Sequence, residues 1–283
     1  MKKTGKGIRQ QVERMLGWAT GHQTRSAAGK PFLQERDGIL ALHFDGVSVQ
    51  SEMSIDQPDE LLLSYTRAMM SFLLLAPAPG SLAMIGLGGG SLAKYCYRYL
   101  PQTDITVVEI NPDVIALRNE FAIPADDARF KVLQGDGAAF VADAASQFDA
   151  LVVDGFDADG LPAELSSQRF YDDCFASLAD GGVMAVNLWA SYPHYGTCLA
   201  RIRRSFADCV AVVDEEEGLN KIVLAMKNAG TFPSASAIRH HAKLMGSAHP
   251  LNFQAKSNRL IQALPLPGSR QTGDESRSLH EIG

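Results

Sequence analysis

The chain has 283 residues, 46% of them hydrophobic and 20% charged, and carries a formal net charge of −6. That length supports a sizeable core in one large domain or two unequal ones, and the composition is that of an ordinary soluble enzyme. Charge is uneven: residues 1–37 hold 8 basic and 3 acidic side chains, residues 38–229 hold 12 and 26, and residues 230–283 hold 6 and 3. The acidic centre argues against nucleic acid as the main partner and favours a cationic substrate.

The first 30 residues are polar and basic, with a short helix expected over 8–18 and no apolar core of the kind a secretory signal needs. From Phe32 to about Ser54 the pattern predicts short strands, Ile39–Phe44 and Val47–Gln50, around an Asp45-Gly46 turn. A helix is expected from Pro58 to about Leu75, with Asp59 and Glu60 in its first turn. The apolar run from Leu61 to Leu75 is interrupted by Ser64, Thr66 and Arg67, so a membrane span is not expected. After Pro77-Ala-Pro79-Gly80 the chain alternates. Strands are expected at 81–86, 104–110, 130–133, 150–153 and 182–188, with helices at 91–100, 112–121, 138–145, 167–178 and 195–206. A strand pair, 209–213 and 221–226, closes the series. Short helices at 235–245 and 252–264 and a polar, disordered tail from Pro267 follow.

This alternation predicts a doubly wound, mostly parallel α/β sheet of the methyltransferase-like Rossmann type, preceded by a small N-terminal β domain. The expected parts are a peripheral basic segment (1–30), the β domain with its linking helix (31–76), a cofactor-binding catalytic domain (77–230) and a helical tail region (231–283). The four cysteines (Cys96, Cys174, Cys198, Cys209) lack metal-site spacing and are too few for a disulfide scaffold, which points to a reducing cytoplasm.

Ligand chemistry is expected where strands end. The first strand breaks into Gly86-Leu87-Gly88-Gly89-Gly90-Ser91, where glycines let a ligand approach helix-start amides. Glu109 follows 19 residues after Gly90 at the end of the second strand, the offset at which α/β domains place a carboxylate for ribose hydroxyls. The third strand runs into Gly135-Asp136-Gly137 and the fourth into Asp154-Gly155-Phe156-Asp157. Singly, Glu109 and Asp136 are equally well explained as caps or turns; for Asp154 and Asp157 the lesser alternative is an Asx-turn. The loop lacks the third glycine of the dinucleotide fingerprint, whereas an adenosyl-sulfonium cofactor uses all four stops. Trp189 and Tyr192, just past the fifth strand, are candidates for an acceptor wall. His43, His194, His240 and His241 lack metal-ligand spacing, and Arg201, Arg203 and Arg204 have the look of a solvated helix face.

The order of these motifs resembles the spermidine/spermine synthase family, the polyamine aminopropyltransferases. The resemblance rests on Asp45-Gly46-Val47 with Gln50, Asp59-Glu60 with Tyr65, Ile85-Gly86-x-Gly88 and Val108-Glu109-Ile110-Asn111-Pro112. It continues through Gly135-Asp136-Gly137, Asp154-x-x-Asp157, Gly160-Leu161-Pro162-Ala163 and Phe170-Tyr171. It implies transfer of aminopropyl from decarboxylated S-adenosylmethionine to an amine such as putrescine, without a metal, in a dimer or larger homo-oligomer. It places Gln50, Gly86, Gly88, Gly89, Gly90, Glu109, Ile110, Asp136, Gly137 and Asp154 on the cofactor. Tyr65, Asp157 and Trp189 go to the polyamine, and Asp154 and Asp157 to catalysis. Chemistry agrees: neutralising an alkylammonium of pKa near 10 at pH 7 costs about 4 kcal/mol. A carboxylate in reach of the amine accepts that proton as attack proceeds. The chain departs from the family at Gly89, where an aspartate usually holds the aminopropyl amine, and at Thr66. It departs again at Asn187-Leu188-Trp189, where a polyamine-binding glutamine is expected. An S-adenosylmethionine methyltransferase, for which an open loop leaves room for the methionine carboxylate, and a non-catalytic relative are the alternatives.

Overall fold

The computed structural model describes residues 30–44, 49–156, 160–228 and 231–265. The helix expected at 8–18, the Asp45-Gly46 turn, Asp157 and the tail from Pro267 lie outside the described residues.

Three short strands come first: β1 (Phe32–Arg36), β2 (Ile39–His43) and β3 (Val49–Ser54), antiparallel in the order β1-β2-β3. Residues 58–63 do not form the expected first turns of a helix. Arg67 Nη1 donates to the carbonyls of Leu61 (2.9 Å) and Leu62 (2.5 Å), taking acceptors that helical amides would have used. Leu63 is extended, so α1 covers only Ser64–Met69 and tightens into a 3-10 turn over Met70–Leu74. Asp59 instead pairs with Arg98.

The main sheet has seven strands in the order β6-β5-β4-β7-β8-β10-β9. They are β4 (Ser81–Ile85), β5 (Asp104–Glu109), β6 (Phe130–Gln134), β7 (Phe148–Val153), β8 (Leu178–Trp189), β9 (Val210–Asp214) and β10 (Asn220–Met226). The first five in this series run parallel, and β10 is antiparallel to both β8 and β9. This is the methyltransferase-like α/β fold that the alternation predicts, with the small antiparallel sheet before it.

Side chains alternate across the sheet as the pleat requires. Leu82 and Met84 of β4, with Ala150 and Val152 of β7, enter one core, and Ala83, Ile85, Leu151 and Val153 enter the other. The first core is covered by α2 (Ser91–Tyr99), α7 (Ala235–Ala248) and α8 (Phe253–Ala263) through Tyr95, Cys96, Ile238, Met245, Phe253 and Leu260. The second is covered by α4 (Gly137–Asp143), α5 (Gln168–Ser177) and α6 (Tyr195–Ser205) through Val141, Phe170, Tyr171, Cys174, Cys198 and Ile202. Helix α3 spans only Pro112–Ala116, where ten residues of helix were expected. Past Leu117 the chain turns, because Arg118 folds onto Asp126 and the Pro124 carbonyl while the Ile123 amide returns to Arg118. Buried Lys94 donates to the Phe121 carbonyl at 2.7 Å and anchors that turn.

All four cysteines are buried and free. Among the described residues, no helix is long and apolar enough to cross a membrane.

Candidate active site

Parallel register brings the strand ends together. Ile85 pairs with Val108 and with Val153, so Gly86, Glu109 and Asp154 leave the same edge of the sheet side by side. The Gly86 amide donates to the Val108 carbonyl and the Asp154 amide to the Ile85 carbonyl, both at 2.9 Å. That closeness requires a glycine. Gly86 has φ of +96°, and a Cβ there would sit 2.2 Å from the Asp154 carbonyl oxygen.

Over this edge lies a cavity of about 1120 Å³, walled by β3, α1, the glycine loop and the ends of β5, β7, β8 and β10. Its walls carry Gln50, Tyr65, Gly86, Gly88, Glu109, Ile110, Asp136, Gly137, Asp154 and Trp189. Gly88 is open on the cavity side, since a Cβ there would meet nothing nearer than Ser51 at 3.8 Å. Gly89 and Gly90 are not on the wall. A Cβ on Gly89 would run into Ser51 Oγ (2.6 Å) and the Phe121 ring (2.8 Å), and one on Gly90 into Ile123 (2.5 Å).

At one end Glu109 is buried and accepts two hydrogen bonds from the backbone. Its Oε2 accepts from the Leu87 amide and its Oε1 from the Asn111 amide, each at 2.8 Å. The carboxylate therefore fixes the glycine loop relative to the next strand end and keeps lone pairs for hydroxyl donors. Asp136 is at once a helix cap, accepting from the Ala138 amide at 2.8 Å, and an exposed part of the wall. Ile110 is 70% exposed, an apolar surface at the cavity rim.

At the other end Asp154 is partly buried. Its Oδ1 accepts from Asn187 Nδ2 at 2.9 Å, and the Tyr65 phenol acts on the same carboxyl group. Loss of water pushes the Asp154 carboxyl above the ordinary carboxylate range, against the pull of those two neighbours. Burial beside Asp154 pushes the Tyr65 phenol well up, so it remains a donor. Trp189 stacks on Phe156 with ring centroids 4.7 Å apart and planes 12° apart, forming an aromatic wall beside the carboxylate. Among the described residues, no group of three or more His, Cys, Asp or Glu side chains is placed to hold a metal ion.

Residues 62–198 match the pattern described as the spermine/spermidine synthase domain. The polyamine aminopropyltransferase of Neisseria meningitidis serogroup A is 34% identical over 223 residues, 78% of this chain and 85% of that protein. The chain belongs to the spermine/spermidine synthase family. The polyamine aminopropyltransferase of Chromobacterium violaceum is likewise 34% identical, over 81% of this chain and 88% of that one. Among solved structures, a probable spermidine synthase from Corynebacterium glutamicum matches this fold with a TM-score of 0.64 at 22% identity, covering 77% and 87% of the two chains.

Several residues of this spermine/spermidine synthase site were not singled out by motif. Asn187 is buried in β8, and its Oδ1 accepts from Asn220 Nδ2 at 2.8 Å. Glu215, also buried, collects the amides of Glu217 (2.8 Å) and Leu219 (2.7 Å) and so shapes the hairpin between β9 and β10. The available signal was an asparagine inside the apolar run Val183–Leu188, a residue depleted in strands and costly to bury without partners.

Proposed function

We propose that this family member is a polyamine aminopropyltransferase, moving aminopropyl from decarboxylated S-adenosylmethionine to an amine such as putrescine and releasing methylthioadenosine. The observation that carries the reading is one cavity with a hydroxyl-binding carboxylate, Glu109, at one end and a desolvated carboxylate, Asp154, at the other. A nucleoside fits the first end. Gly88 leaves the backbone approachable, Glu109 has acceptor capacity for two ribose hydroxyls, Ile110 offers an apolar face for a base, and Asp136 offers an acceptor for its amine. Gln50 and Gly137 complete that part of the wall. These assignments follow from wall position and chemistry.

The acceptor enters against Tyr65, Trp189 and Asp154. The amine nitrogen attacks the carbon attached to the sulfonium, a C–N bond forms as the C–S bond breaks, and the sulfur leaves as a neutral thioether. The proton lost by the nitrogen passes to Asp154. A carboxyl raised by desolvation is a better match to that task than an ordinary aspartate. A fixed carboxylate also orients the cationic amine before attack, which lowers the entropic part of the barrier. Asp157, assigned to holding the polyamine, is part of the same proposal on sequence grounds.

Calorimetry with S-adenosylmethionine, its decarboxylated form and methylthioadenosine, followed by a product assay with putrescine, tests the reading. Tight binding of the decarboxylated donor with methylthioadenosine formed is expected. Preference for the carboxylated form with no methylthioadenosine released would overturn it.

A further inference from the structure

We propose that Asn187, Asn220 and Glu215 form a positioning circuit that fixes the Asp154 carboxylate, closed through Ser64 onto the helix that carries Tyr65. The inference rests on the reading of Asp154 as the proton acceptor.

An asparagine amide can present either its oxygen or its nitrogen to a neighbour, and only the nitrogen serves an ionised carboxylate, which can accept but not donate. The carboxylate makes the choice and Asn220 matches it. Asn220 Nδ2 donates to Asn187 Oδ1 at 2.8 Å while the other end of that amide faces Asp154 Oδ1 at 2.9 Å. Asn220 is in turn held by its backbone. Its own amide reaches Glu215 Oε1 at 3.3 Å, and the neighbouring Leu219 amide reaches the same oxygen at 2.7 Å. The remaining oxygen of Glu215 accepts from Ser64 Oγ at 2.5 Å. Ser64 immediately precedes Tyr65, whose phenol favours the ionised form of Asp154. Both neighbours that act on the carboxylate thus trace back to one buried side chain. Glu215 is 4% exposed, Asn187 3% and Ser64 5%, so water is a poor substitute at any of these joints.

The choice of amides has a chemical consequence. A guanidinium or ammonium at Asn187 would orient Asp154 equally well but would draw its pKa down and weaken it as a base. A neutral amide orients it while leaving desolvation to set its proton affinity. Charged groups elsewhere on the cavity wall are Glu164 on the 3-10 turn after β7, Glu217 on the hairpin, Glu52 on β3, and Glu109 and Asp136 at the far end. Arg67 of α1 is engaged with the Leu61 and Leu62 carbonyls and with Glu216.

The test compares turnover at about pH 6 with turnover at about pH 8 for wild type, Asn187→Leu and Asn220→Leu. The acceptor's own ionisation is common to all three, so a changed ratio belongs to the enzyme. Without its donor the Asp154 carboxyl holds its proton to higher pH, and the ratio falls roughly three- to tenfold in Asn187→Leu and by about half that in Asn220→Leu. Asn220→Ser, too short to reach Asn187, gives the same direction and covers the case in which leucine prevents folding. Turnover lowered equally at both pH values, with melting temperature reduced, would mean a merely structural role and overturn the circuit. Asp154→Asn run beside them separates the two levels of inference: full turnover there overturns the reading on which the circuit rests, whereas lost turnover with unmoved ratios overturns the circuit alone.

Discussion

The two ends of the cavity are built differently. The end proposed for the nucleoside is made of main chain and a bridging carboxylate: glycines 86 and 88 at positive φ, and Glu109 bonded to amides 2 and 22 residues away. The end proposed for the acceptor is made of side chains from α1, β8, β10 and the turns after β7 and β9, with Asp154 and Asn187 33 residues apart and Ser64 and Glu215 151 apart. Backbone at the ends of a buried parallel sheet is fixed by the core itself, so that end is in place once the sheet forms. The acceptor end depends on long-range hydrogen bonds, each worth about 1 kcal/mol, whose geometry is decided only when the last hairpin docks. Substitutions at the first end should act on binding and folding, and at the second on chemistry.

The sharpest break is expected at Asp154. Asp154→Asn should lower turnover by a factor of about 100 to 10,000 while leaving donor affinity nearly unchanged, read by steady-state kinetics beside calorimetry. A parallel loss of donor affinity would erase the contrast between the ends. Next in size is Gly86→Ala, whose Cβ meets the Asp154 carbonyl at 2.2 Å in a left-handed conformation; a loss of about 2–4 kcal/mol in unfolding free energy is expected. Gly88→Ala, left-handed but with open space, should cost only about 1 kcal/mol, so equal losses in denaturant titrations would contradict the geometry. Glu109→Gln turns an amide group toward one of two backbone donors. It should weaken donor binding about tenfold without moving the acceptor KM, measured by varying each substrate in turn.

The smallest effect concerns stability. Asp154 has a raised folded-state pKa, so its contribution is fully present below the ordinary carboxylate range and is lost as pH rises through the raised value. Asp154→Asn should therefore melt higher than wild type at neutral pH, by about 1 kcal/mol, with the difference closing toward pH 4. A melting difference that does not vary with pH would show that the aspartate is not desolvated enough to matter.

How much of this could be seen in the sequence follows the same division. The sheet and its strand ends were legible because apolar runs broken by glycine or a carboxylate report both period and stop, as at Ile85-Gly86, Val108-Glu109 and Val153-Asp154. The helix expected from Pro58 was cut short because Arg67, five and six residues beyond Leu62 and Leu61, claims the carbonyls it needed. The helix from Pro112 was shortened by Arg118 and Lys94 acting on the turn after it. No local pattern announces such contacts. Asp136 shows that the two explanations offered for such a residue can hold together, since it both caps α4 and borders the cavity. Asn220 and Glu215 carried no motif at all, since their significance lies in which residues they reach across the fold.

Gly89 ties the shape of the loop to two residues far off in the chain. A side chain at this position cannot be added without disturbing them. Its Cβ would strike Ser51 Oγ at 2.6 Å and a fully buried Phe121 ring at 2.8 Å. Overpacking of that kind typically costs 1–3 kcal/mol, so Phe121 and Ser51 would have to shrink or move first. Three positions from separate parts of the chain are therefore coupled, and any side chain added at position 89 calls for compensating changes at the other two.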